Sequence, residues 1–179
     1  FLFSIGQLAT GHISGRQVAQ TQPAKLAAFE GHYTTCKGAP MILVGVPEPQ
    51  LCETKRLLTI PKLLSYLAYG SFEAEVKGLS DFPIEERPPV WPTFVSFHLM
   101  VMIGMGLIGL TALGLLLLWK DRVDNKLFLR LAMIALPFPF IANELGWMVA
   151  EIGRQPSAKY VAQVIGKTER SSGEGEAVP

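Results

Sequence analysis

The run FVSFHLMVMIGMGLIGLTALGLLLLW, Phe94 to Trp119, decides the fold. From Leu99 to Trp119 it carries no charge, and His98 is its one ionisable group. At 1.5 Å per residue, Leu99 to Trp119 alone extends about 31 Å, enough to cross a hydrocarbon core of roughly 30 Å. Trp91 and Trp119 bracket the run as interfacial aromatics do. Gly104, Gly106, Gly109 and Gly114 would let another helix, or a flat cofactor, approach closely.

Reading toward the C-terminus, KDRVDNK (Lys120 to Lys126) holds three basic and two acidic residues. The positive-inside rule makes this short turn cytoplasmic. Leu127 to Glu151 then returns through the membrane, with Pro137 and Pro139 expected to kink it. Two carboxylates, Glu144 and Glu151, sit in this apolar return. Such groups are costly there unless they pair, protonate or bind something. Seven residues apart, they share nearly one helix face, and Arg154 follows Glu151 by three. Met100 and Glu151 fall at the same, outer end of the two spans.

Reading toward the N-terminus, DFPIEERPPVWP (Asp81 to Pro92) is too rich in proline for a regular helix and reads as an extended lead-in. Pro61 to Tyr69 is a short helix candidate ended by Gly70. Residues 33–62 read as loop with one extended piece, Met41 to Val46. Pro23 to Glu30 is a second short helix, with proline at its first position and Gly31 as its stop. His12 and His32 read as solvated loop histidines. Cys36 and Cys52 would pair if this segment faced an oxidising compartment; two unpaired thiols fit equally well.

The chain opens at Phe1 inside an apolar run, FLFSIGQLA, too short to span. It reads as the last turns of a helix that starts upstream, so a fragment or one piece of a split subunit is expected.

Composition agrees. Charged residues make up 17% of the 179, against roughly 25% in soluble domains. A net charge of +1 offers no footing for nucleic acid. The expected organisation is therefore a helix end (1–10), an extracytoplasmic segment (11–90), a span (91–119), a cytoplasmic turn (120–126), a second span (127–153) and a polar tail (154–179). The fold class is an all-α integral membrane protein.

Three stretches, in order, resemble subunit I of the cytochrome bd-type quinol oxidases. They are TQPAKLAAFEGHY (Thr21 to Tyr33), FVSFHLMV (Phe94 to Val101) and ELGWMVAEIGRQP (Glu144 to Pro156), with DFPIEERPP (Asp81 to Pro89) as a familiar lead-in. The resemblance implies a membrane enzyme that oxidises quinol, reduces dioxygen to water and builds a proton gradient. It implies low-spin haem b, high-spin haem b and haem d. It makes the 11–90 segment a quinol-binding loop in which Lys25 and Glu30 act on the substrate. On a regular helix these two stand about 140° apart, so both can meet one ring only if the helix ends between them.

By the same resemblance Met100 is the axial ligand of the low-spin haem, in the register Phe94-x-x-Phe97-x-x-Met100. Glu151 ligates the high-spin haem iron, Arg154 holds propionates, and Trp147 packs on the porphyrin or anchors at the interface. His98 is a departure, since members carry arginine there. At about 200° from Met100 on the helix it suits a hydrogen-bonding or propionate-side role. Implied partners are quinol, dioxygen, oxidase subunit II, a small single-span subunit, the missing N-terminal part of subunit I, and lipid of a bacterial or archaeal cytoplasmic membrane. After Pro156 the family usually continues with an aromatic residue and a further span. Here Ser157 follows, and no further run of span length.

The alternative is a haem-free structural membrane subunit or degraded paralogue. A transporter with midplane carboxylates fits less well, because Met100 and Glu151 lie near one surface.

Overall fold

The computed structural model describes residues 1–48, 51–122 and 124–153. Arg154 and the polar tail lie outside the described residues.

Two apolar helical units are long enough to cross a membrane, Val90–Trp119 and Lys126–Ile152. The first is one continuous helix, α4, of 30 residues. At about 45 Å it is longer than a bilayer core of roughly 30 Å. Its first turns are where Thr93, Phe94 and Ser96 become buried. Pro92 does not delay the helix as the proline count suggests. It falls in the first turn, where its missing N–H would have no partner anyway, and the Thr93 hydroxyl donates to Pro89 O at 2.7 Å. Only 81–89 remains irregular, as two short 3₁₀ turns and their flanks.

The second unit breaks where its prolines require, into α5 (Lys126–Ala135) and α6 (Phe138–Ile152). Asn125 caps α5, its Oδ1 accepting from the amides of Leu127 (2.9 Å) and Phe128 (3.2 Å). Such a cap is worth about 1 kcal/mol. The Phe128 ring fills the space left by Gly114 of α4. Gly106 and Gly109 instead line an apolar groove of about 520 Å³ between α4 and α5.

The segment before α4 is not all-helical. α1 (Leu2–Thr21) runs well past Thr10, through Gly11 and Gly15, until Gln22 turns the chain into α2 (Pro23–Phe29). Gly31, at φ +61°, stops α2 as its sequence position suggests. Then come β1 (Cys36–Lys37), β2 (Met41–Glu48), β3 (Glu53–Ile60), α3 (Leu63–Tyr69) and β4 (Glu75–Val76). β1 pairs with β4, and β2 with β3, both antiparallel. β3 corrects the reading of 33–62 as loop. Its residues are mostly exposed on both faces, so no apolar alternation announces it. The backbone ladder and a Lys55–Glu48 ion pair at 2.5 Å define it instead.

A small core joins these pieces to the spans. Ala19, Leu26, Phe29, Leu64, Ala68 and Val76 are buried together with Val149 of α6, and the Phe29 ring meets Phe97 of α4 at 4.2 Å. Ser65, fully buried, accepts from the Ala39 amide (2.7 Å) and donates to Ala74 O (2.8 Å). Cys36 and Cys52 are not joined in a disulfide with each other.

Gly78 is the tightest point. A Cβ there would lie 2.3 Å from the Tyr33 carbonyl oxygen, which is backbone and cannot step aside. Gly78→Ala is expected to destabilise this region by about 1–3 kcal/mol, the usual range for overpacking. The check is hydrogen exchange at Leu79 and Ser80, whose amides donate to His32 O (2.9 Å) and Tyr33 O (3.0 Å). Unchanged protection would show that the loop absorbs the methyl.

Candidate functional site

Lys25 stands near the start of α2 and Glu30 at its end. Lys25 reaches across to α6, where its ammonium donates to Ala150 O at 3.2 Å. Its stem lies over Gly153, at which a Cβ would sit 2.7 Å from Lys25 Cε. A cation at the carbonyl end of a helix is worth about 0.3–1 kcal/mol. Here it ties α2 to the turn carrying Glu151.

Glu30 points inward and is 3% exposed. Its Oε2 has no hydrogen-bond partner. Burial alone pushes its pKa up to about 8, so the carboxyl is mostly protonated at neutral pH. Glu30 keeps a right-handed helical conformation at the end of α2, and the chain turns at Gly31.

Tyr33 was not singled out by sequence, although it closes the TQPAKLAAFEGHY stretch. Its hydroxyl is the second buried polar atom without a partner, and burial raises its pKa. His32 is not solvated, contrary to expectation: it is 1% exposed, with Nε2 at 3.8 Å from Cys36 Sγ. Burial first, and the Arg56 guanidinium second, hold its imidazole below the usual range. His12 is exposed as expected, but it stands on α1 and not in a loop.

On α4, the Met100 sulphur lies in the seam with α6, where a Cβ on Gly146 would approach it to 3.0 Å. Met102 and Met105 are each 54% exposed. His98 stacks on Phe94 at 3.9 Å between ring centroids. Its Nδ1 is 2.9 Å from Phe94 O and its Nε2 is 2.7 Å from Ile42 O in β2. Both ring nitrogens are thus turned to carbonyls, one in the helix and one in the hairpin. In a neutral ring only one of them is an N–H donor at a time.

On α6, Val149 and Gly146 face the loop core and α4, whereas Glu144, Trp147 and Glu151 are exposed on the other side. Neither glutamate has a partner among the described residues. A carboxylate on an apolar helix face is costly unless it pairs, protonates or binds something. No cluster of three or more His, Cys, Asp or Glu occurs among the described residues.

Comparison with known proteins gives a single direction. The family model "Cytochrome bd terminal oxidase subunit I" matches residues 1–173. The chain is 38% identical over 162 residues to a putative cytochrome bd menaquinol oxidase subunit I of Bacillus subtilis, covering 89% of this chain and 36% of the relative. It is 34% identical over 164 residues to cytochrome bd ubiquinol oxidase subunit 1 of the same organism, covering 85% and 35%. Among solved structures, the bd oxidase from Geobacillus thermodenitrificans superposes with a TM-score of 0.78 at 42% identity, covering 87% of this chain and 36% of that one. The chain thus spans about a third of the length of these relatives.

Proposed function

The chain belongs to the family of cytochrome bd terminal oxidase subunit I, a family of respiratory quinol oxidases, and from that premise we propose that it supplies the quinol-oxidising loop and two haem-iron ligands of such an oxidase. The overall reaction converts quinol to quinone, releasing two protons and two electrons, and reduces dioxygen with four electrons and four protons to two waters. Subunit II, a small single-span subunit and the remainder of subunit I would complete the complex in a bacterial or archaeal cytoplasmic membrane. The segment from residue 11 to residue 90 would face outward, so that quinol protons leave on that side and a gradient forms.

The observation that carries this reading is Glu30. A buried carboxyl with an unpaired oxygen and a pKa near 8 is poised to take a proton at working pH. Roughly a tenth of it is ionised at pH 7, and that fraction is the acceptor for a quinol hydroxyl proton. Lys25 would assist from the end of α6, neutralising charge near the ring and holding the loop against the span. Steady-state quinol oxidation by the complex, with and without the Glu30→Gln exchange, tests this.

The described residues fit haem. Glu151 is an exposed carboxylate one turn from Trp147 on an apolar helix face, a hard oxygen donor that could hold a haem iron. Met100 offers a soft thioether in a seam where Gly146 leaves it room. In this reading Met100 serves the low-spin haem b, Glu151 the high-spin haem b next to haem d, and Arg154 their propionates. When bound, these groups would carry the quinol's electrons to dioxygen. His98 serves by fixing the outer end of α4 to the loop.

A further inference from the structure

Glu30 adjoins a closed ring of contacts. The next residue, Gly31, is in the left-handed region, and a Cβ there would sit 2.9 Å from Thr54 Oγ1 and 3.0 Å from the Phe94 ring. Thr54, in β3, donates its hydroxyl to Gly31 O at 2.7 Å. Phe94 stacks on His98. His98 in turn reaches Ile42 O in β2, and Ile42 is 2% exposed. Because β2 and β3 are one hairpin, the circuit closes: Gly31 to Thr54, across the hairpin to Ile42, to His98, to Phe94, and back to Gly31.

A proton acceptor must come within hydrogen-bond reach of its substrate. At 3% exposure, Glu30 is out of reach of any molecule in solvent or lipid. The hairpin itself is suited to movement. Val44, Val46, Leu57 and Leu58 on it are all exposed, so little apolar surface holds it down.

We propose that the β2–β3 hairpin is a cover over Glu30, fastened by Thr54 and His98, and that it lifts to admit quinol. The second half of this statement rests on the reading of Glu30 given above. The first half does not. Thr54 and His98 are positioning residues in this scheme: neither touches the substrate, and both set how often Glu30 is reachable.

The test is the rate at which a water-soluble carbodiimide modifies Glu30 in the assembled complex, read by peptide mass spectrometry. Loss of one net hydrogen bond is worth about a 5-fold change in an opening equilibrium. Thr54→Val and His98→Phe, which keeps the ring stack, are each expected to speed modification about 5-fold. The double variant is expected to reach roughly 25-fold, since the two fastenings lie on different strands. Thr54→Ser, which retains the donor, is expected to modify at the wild-type rate. Equal rates in all variants would overturn the proposal. So would faster modification accompanied by lost exchange protection of the His32 amide, which donates to Ala27 O at 2.8 Å, because that would be unfolding of α2 and not lifting of a cover. If modification speeds as expected while Glu30→Gln leaves quinol oxidation intact, the cover stands and the quinol role of Glu30 falls.

Discussion

Replacing Met100 by leucine is expected to remove the low-spin haem signal from the reduced-minus-oxidised spectrum of the assembled complex. Quinol-to-oxygen turnover is expected to fall at least about 100-fold, since an electron acceptor with a lost axial ligand changes both spin state and potential. The exchange conserves volume, and such swaps usually cost less than about 1.5 kcal/mol, so the α4–α6 seam should survive. Gly146 leaves the same room for either side chain. Met102→Leu and Met105→Leu are the controls, because both side chains project away from the seam at 54% exposure. A Met100→Leu complex with an unaltered spectrum would make Met100 a packing residue and nothing more.

Glu30→Gln is expected to lower quinol oxidation by about 100-fold or more, the usual contribution of a positioned proton acceptor, with haem content retained. The wild-type rate should rise with pH toward about 8, as the carboxylate form is populated, and the Gln variant should lose that dependence. The sign of the stability effect follows from the same shift. The folded-state pKa is raised from 4.5 to about 8, so burial favours the protonated form. The associated stability is full below about pH 4.5 and is lost as pH rises through about 8. Exchange protection of α2 amides should therefore weaken across that window in the wild type and stay flat in Glu30→Gln. Equal loss of activity and haem would make Glu30 structural.

Much of this was legible beforehand, for physical reasons that can be named. The spans follow from uncharged length, and the break at Pro137 follows from a missing N–H and a ring clash. Pro23 and Gly31 mark the ends of α2 through backbone preference alone. What could not be read is whatever depends on a distant partner. β3 carries Glu53, Lys55 and Arg56, residues poor in strand preference, and exists because β2 supplies a ladder. His32 looked solvated because a histidine between glycine and tyrosine carries no sign of the Val76 backbone and the Arg56 charge that surround it. The burial of Glu30, at 3% exposure, has no sign in the sequence either, since a glutamate at the end of a short helix carries no mark of what packs over it. Lys25 matched a motif, but its contact with Ala150 bridges segments 125 positions apart.

The two carboxylates of α6 show the opposite case. Their shared face was plain from spacing, and the structure keeps Glu144 and Glu151 on one exposed side. Spacing places them together but does not distinguish them. Glu151 differs by its position in the turn held by Lys25, close to the loop core at Val149. Glu144 has no such neighbour among the described residues.

The central claim is that this chain joins a quinol-oxidising loop to haem ligands within one complex. It is tested most directly by anaerobic reduction of the purified complex, followed spectroscopically after mixing with quinol or with dithionite. The wild type should show haem reduced by both reagents. The Glu30→Gln complex should be reduced by dithionite with the wild-type spectrum, and by quinol about 100-fold more slowly. A wild-type complex with no haem absorption, or a Glu30→Gln complex reduced by quinol at the wild-type rate, would contradict the account.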